Sequence, residues 1–106
     1  MNREEYIEHI LAHKNIKRQS AVSSYNCLAR VLRHCKKPPE IPRDASWVDS
    51  SILKALETLP NTPQKNLSSS LMVYLRICNG TEAQLKETGE VLQKCSEIQE
   101  NAYMKL

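Results

Sequence analysis

The stretch Thr62–Gln84, TPQKNLSSSLMVYLRICNGTEAQ, reads as a helix with both of its ends marked. Thr62 is a good N-cap, and Pro63 suits the first helical position, where a missing N–H costs nothing. Leu67, Leu71, Tyr74, Leu75 and Cys78 recur at steps of three and four and make one continuous inner stripe. Asn79-Gly80 supplies a left-handed stop, and Thr81 with Gln84 has the spacing of a capping box that opens the next helix. The opposite side carries Lys65, Ser69, Met72 and Arg76 and cannot be core. Met72, the apolar member of that set, belongs either against a partner or under another loop.

The same reading extends in both directions. Upstream, SAVSSYNCLARVLRHC has Ser20 as a cap and Val22, Tyr25, Ala29 and Leu32 along one face, with Leu28 beside them. Ser23, Asn26, Arg30, Arg33 and Lys37 project from the other side at steps of three and four. Tyr25 and Tyr74 therefore fall on inner faces, with their hydroxyls at the rim. KKPPEIPRDA then breaks the helix at Pro38, Pro39 and Pro42. Asp49 caps a short helix with Ile52, Leu53, Leu56 and Leu59 as its stripe, Trp47 is placed to staple that helix, and Pro60 stops it. At the N-terminus, Asn2–His13 is amphipathic through Tyr6, Ile7, Ile10 and Leu11, with Glu4, Glu5 and Glu8 in its early turns. The final helix, Glu82–Tyr103, buries Leu85, Val91, Leu92, Cys95 and Ile98 and turns Glu82, Glu87, Glu90, Glu97 and Glu100 to solvent.

Composition agrees with this pattern. The chain has 106 residues, two glycines, no phenylalanine and no long β-branched run, which excludes a sheet-based fold and leaves an all-α one. We expect a single compact bundle of about five helices spanning 1–106, with 1–19 as N-terminal helix and connector and 20–103 as the bundle. With only Gly80 and Gly89, no phosphate-cradling loop or dinucleotide fingerprint can be written. His9 and His13 stand four apart, but no HExxH pattern and no third ligand accompany them. His34 and Cys35 are neighbours on a helix and point about 100° apart, so they cannot form a thiolate–imidazole pair. No enzyme, cofactor or metal site is expected. The four cysteines form no CxxC pair and read as reduced intracellular thiols, and Cys27, Cys78 and Cys95 fall on or near apolar stripes. The triplets at Asn66 and Asn79 then never meet the glycosylation machinery. No apolar run approaches the roughly 20 residues that span a bilayer, so no membrane insertion is expected.

Charge is distributed unevenly. Between Lys14 and Lys37 lie Lys14, Lys17, Arg18, Arg30, Arg33, Lys36 and Lys37 and no acidic residue, while all twelve acids occupy the rest of the chain. At a net charge of +3, such a split is what a surface with one cationic face would need, and cationic faces attract polyanions; the alternative is a solvated helix with chance clustering.

SAVSSYNCLARVLRHC and LPNTPQKNLSSSLMVYLRIC together resemble the N-terminal core-binding domain of tyrosine recombinases and phage-type integrases. The resemblance rests on Ala21, Tyr25, Ala29 and Leu32 in the first helix, and on Thr62, Lys65, Asn66 and Leu67-Ser68 in the second. It covers Ser20 to Tyr103. It implies a small SAM-like helical bundle that grips one side of a DNA duplex as half of a clamp, with a nuclear or nucleoid location. Ala21 stands where a hydroxyl residue is common and Leu71 near where a basic residue often sits. The arginine, histidine and tyrosine constellation of strand transfer has no counterpart here, and Tyr103 does not replace its nucleophile. The chain is thus expected to be a recombinase fragment or a free-standing binder.

The expected partner is double-stranded DNA, through backbone and major groove. Lys17, Arg18, Arg30, Arg33, Lys36, Lys37, Lys65 and Arg76 would neutralise phosphates, and Ser23, Asn26 and Ser69 would add neutral hydrogen bonds. Asn26, Arg30 and Lys65 are the candidates for reaching base edges. The alternative is a protein-interaction module, either with an acidic partner on the basic face or as a homodimer through Leu85, Leu92 and Ile98, which repeat at about seven residues.

Overall fold

The computed structural model describes the backbone of residues 1–104 and the side chains of residues 1–97. Its helices are α1 (Arg3–His13), α2 (Arg18–His34), α3 (Ser50–Glu57), α4 (Asn61–Ile77) and α5 (Glu82–Met104), with one 3₁₀ turn at Ala45–Trp47. The fold is an all-α bundle of five helices, as the apolar stripes predict. α4 is the central element, packed most extensively against α5 and α2 and touching α1 and α3. Its Leu67, Leu71, Tyr74 and Leu75 meet Tyr6, Ile7 and Ile10 of α1, Leu28, Val31 and Leu32 of α2, and Ile52 and Leu56 of α3 in one core. The side chains of Ile98, Glu100 and Tyr103 lie outside the described residues.

Three helix starts follow the capping chemistry of the sequence. The Asn2 carboxamide accepts from Glu5 N at 2.9 Å, and Asp49 accepts from Ser51 N at 3.0 Å and Ile52 N at 3.2 Å. The Ser51 hydroxyl and then the Ile52 amide hold the Asp49 carboxyl below its ordinary range. At α5 the box is reciprocal: Thr81 N donates to Gln84 Oε1 at 2.8 Å and Gln84 N to Thr81 Oγ1 at 3.1 Å. Two starts differ from expectation. α2 begins at Arg18, with Lys17 extended before it and Ser20 inside the first turn; no side chain caps it, and Arg18 instead ties it to α1. α4 begins at Asn61 because Pro60 already holds the extended entry conformation, so Thr62 and Pro63 fall within its first turn. Pro63 is tolerated there because first-turn N–H groups have no acceptor within the helix.

α2 and α4 end in the same motif. Lys37 N bonds Leu32 O at 2.8 Å and Lys36 N bonds Arg33 O at 3.1 Å, with Lys36 left-handed at φ 57°. At α4, Gly80 N bonds Leu75 O at 2.6 Å, and the left-handed residue is Asn79. Gly80 is needed for a different reason: a Cβ there would stand 2.8 Å from Leu75 Cδ2 and 2.9 Å from Leu75 Cβ. Lysine gains nothing from a left-handed backbone, whereas glycine adopts it without strain. Lys36→Gly should therefore stabilise the fold by about 1 kcal/mol, read as a higher urea midpoint at unchanged m-value.

Tyr6, Tyr25, Tyr74 and Trp47 form a connected aromatic cluster. Tyr6 lies 6.4 Å from Tyr25 and 6.3 Å from Tyr74, and Tyr74 lies 5.6 Å from Trp47. Trp47, placed by the sequence to staple α3, is also tied to α4. It ends the 3₁₀ turn and donates from Nε1 to the Tyr74 hydroxyl at 2.8 Å, which in turn donates to the Pro42 carbonyl at 2.7 Å. The proline-rich segment is thereby fastened to α4. Burial raises the Tyr6 phenol above its ordinary range, and its hydroxyl has no hydrogen-bond partner among the described residues.

Candidate functional site

α2 and α4 lie side by side in opposite directions, and their seam has two openings. The first is a groove of about 200 Å³ lined by Ser23, Ser24 and Cys27 of α2 and Asn66, Ser69, Ser70 and Val73 of α4. The second is a cleft of about 200 Å³ lined by Arg30, Arg33 and His34 of α2, Leu67 of α4 and Leu59 of the preceding turn. Ser23, Cys27, Arg30 and His34 follow one another at steps of four, three and four, so a single strip of α2 runs along both openings. Over eleven residues that strip is about 16 Å long.

The expected cations are not all on this seam. Arg30, Arg33, Lys36 and Lys37 are exposed, and none of the four forms an ion pair among the described residues. Ser23, Asn26 and Ser69 are exposed along the same two helices, and Arg76 is exposed in the last turn of α4, towards the Ser23 end. Arg18 is placed elsewhere: its guanidinium reaches Glu4 at 2.7 Å and Glu8 at 3.2 Å on α1. Those two carboxylates, Glu4 first, raise its already high pKa. Lys17 precedes it on the exposed connector. Lys65 is half-buried on the α5 side of α4, near enough to the Cys95 thiol to act on its charge. Met72 shares that side: a Cβ on Gly89 of α5 would stand 3.3 Å from Met72 Cε. Met72 thus rests against α5 and is not an open contact.

The seam is narrower and more mixed than a uniform basic platform. The cations lining its openings are Arg30 and Arg33 of α2, and α4 contributes neutral hydroxyl and amide groups there. Sequence reasoning missed His34, Leu59 and Leu67 as members of the site. The four-three-four spacing was visible, but which neighbour covers it was not. His34 is held in place from α3, its Nε2 lying 2.8 Å from the Ala55 carbonyl and 3.2 Å from Thr58 Oγ1. On the acidic face of α5, Glu87 and Glu90 line a separate groove with Lys54, Glu57 and Lys94.

The other candidate chemistries are placed as follows. The His9 and His13 rings lie 5.5 Å apart on α1, and no group of three metal-ligating side chains occurs among the described residues. Cys35, Cys78 and Cys95 are thiols whose pKa values burial raises, which disfavours the nucleophilic thiolate. No helix among the described residues is long and apolar enough to cross a membrane. In comparison with known proteins, the chain matches no family model, no curated protein and no solved structure.

Proposed function

We propose that the chain binds duplex DNA without catalysis, laying the α2–α4 seam against the phosphate backbone in the manner of a recombinase core-binding domain of SAM-like type. The observation that carries this reading is the exposure of Arg30, Arg33, Lys36 and Lys37 at one end of α2, unpaired with acids among the described residues, beside the neutral donors Ser23, Asn26 and Ser69. Cations neutralise phosphates and release counterions, and hydroxyl and amide groups add orientation. Single-stranded nucleic acid is the poorer ligand, because stacking needs aromatic side chains at the surface. Among the described residues, Tyr6 and Tyr74 are buried, and Tyr25 and Trp47 are partly buried and packed against the core. Of the three base-reading candidates, Arg30 alone lines an opening of the seam, which favours shape-based over sequence-specific binding.

Four neutralised phosphates give a log–log salt slope of about −3.6 in mobility-shift titrations. Arg30→Glu combined with Arg33→Glu should bring the slope towards about −1.8 and weaken binding at least about tenfold at low salt, with the helical circular dichroism spectrum retained. Absence of any wild-type complex at low salt overturns the reading.

A second reading, a helical partner or second copy on α5, has one observation in its favour. Asn61, the first residue of α4, donates to the Cys95 carbonyl, and α5 continues to Met104 beyond that level. Light scattering of the wild-type chain tests it: a dimer unaffected by the arginine reversals would support this reading over the first.

A further inference from the structure

We infer that the cleft between Arg30, Arg33, His34, Leu59 and Leu67 is a pocket for a terminal phosphate monoester, the 5′-phosphate of a DNA end, rather than one more contact to the internal backbone. This inference rests on the duplex-binding reading and names the part of DNA that the site selects.

Two arginines and a histidine line one opening of about 200 Å³. An internal phosphodiester carries one negative charge and is served by one cation. A monoester carries up to two charges and three terminal oxygens, which matches a pair of guanidiniums able to bind in bidentate fashion. The volume is too small for a whole cofactor but suits one protruding group. Leu67, 2% exposed, gives the cleft an apolar wall beside the exposed Arg30, Arg33 and His34. The His34 ring is held through Nε2 by the Ala55 carbonyl and Thr58 Oγ1, so the two guanidiniums carry the phosphate contacts. α4 opens two residues after Leu59 with no side-chain cap, so the positive end of its dipole stands at the cleft's edge.

Fluorescence anisotropy with the full chain and two versions of one short duplex, bearing 5′-phosphates or 5′-hydroxyls, tests the assignment. The phosphorylated duplex should bind about tenfold more tightly, and inorganic phosphate at millimolar concentration should erase that difference. Arg33→Gln should abolish the preference, so that the two duplexes bind alike, both more weakly than they bind wild type because a backbone charge is lost as well. Equal binding of the two duplexes overturns the pocket and leaves the duplex reading standing. Binding of neither overturns both. A phosphoserine peptide that binds at the cleft where neither duplex does assigns the pocket to protein phosphate and overturns the DNA-end inference. Retention of the preference in Arg33→Gln overturns it as well.

Discussion

Tyr74→Phe should destabilise the fold by about 2–4 kcal/mol although it removes a single oxygen atom. The hydroxyl receives the Trp47 indole N–H at 2.8 Å and gives its own proton to the Pro42 carbonyl at 2.7 Å. Its loss leaves one donor and one acceptor unpaired in a partly buried setting, and an unmet buried group costs about 1–3 kcal/mol. Urea unfolding followed by fluorescence of Trp47, the single tryptophan, measures both the loss and its site. Trp47→Phe alone removes the donor, so the double variant should cost less than the sum of the singles, with the variants that lack the tryptophan followed by circular dichroism. The same residue also sets an alkaline limit. Burial, the largest cause, pushes the Tyr74 phenol up to about 12, which means the folded state holds the proton more tightly than the unfolded chain. The contribution is fully present below the ordinary tyrosine value of about 10 and is lost as pH rises through about 12. Tyr74→Phe should therefore flatten the fall in stability across that window, with the steeper remainder coming from Tyr6.

Much of the fold could be read from single helices, because capping and periodicity are local. Asp49, the Thr81–Gln84 box and Asn79 each lie within a few residues of the groups they satisfy. What could not be read was the choice of neighbour. Lys65, Ser69, Met72 and Arg76 do share a side of α4, as their spacing requires. Yet Lys65 and Met72 border α5 while Ser69 lines the groove with α2, and no feature of α4 alone decides which helix comes to rest on which flank. Arg18 presents the same problem. It continues the basic run in sequence, but Glu4 and Glu8, fourteen and ten residues away, engage it once α1 folds back. The candidate site was accordingly legible in the polar strip of α2 and not in its partner surface. Trp47 pairs with a residue 27 positions on, beyond the reach of any capping rule.

Gln84→Glu separates the local role of Gln84 from its distant one. In an isolated capping box the change is harmless or favourable, since a carboxylate at N3 still accepts from the cap residue's N–H and gains about 0.3–1 kcal/mol from the helix dipole. Here the Gln84 carboxamide also donates from Nε2 to the Ala45 carbonyl at 2.8 Å and the Val48 carbonyl at 2.9 Å, holding the 3₁₀ turn against α5. A carboxylate keeps the first interaction, loses both of the others and sets a negative charge against two carbonyl oxygens. Two lost hydrogen bonds and that repulsion amount to about 2–4 kcal/mol, which outweighs the dipole term. The introduced carboxyl group should accordingly be easier to protonate when folded than when unfolded. With its folded pKa raised, Gln84→Glu should recover stability as pH falls from neutral through that raised value, the recovery being complete at the ordinary glutamate pKa of about 4.3, a trend absent from Gln84→Ala. Equal stability of wild type and Gln84→Glu at neutral pH would mean that the cap alone matters and that the 3₁₀ turn is anchored by Trp47 without help from α5.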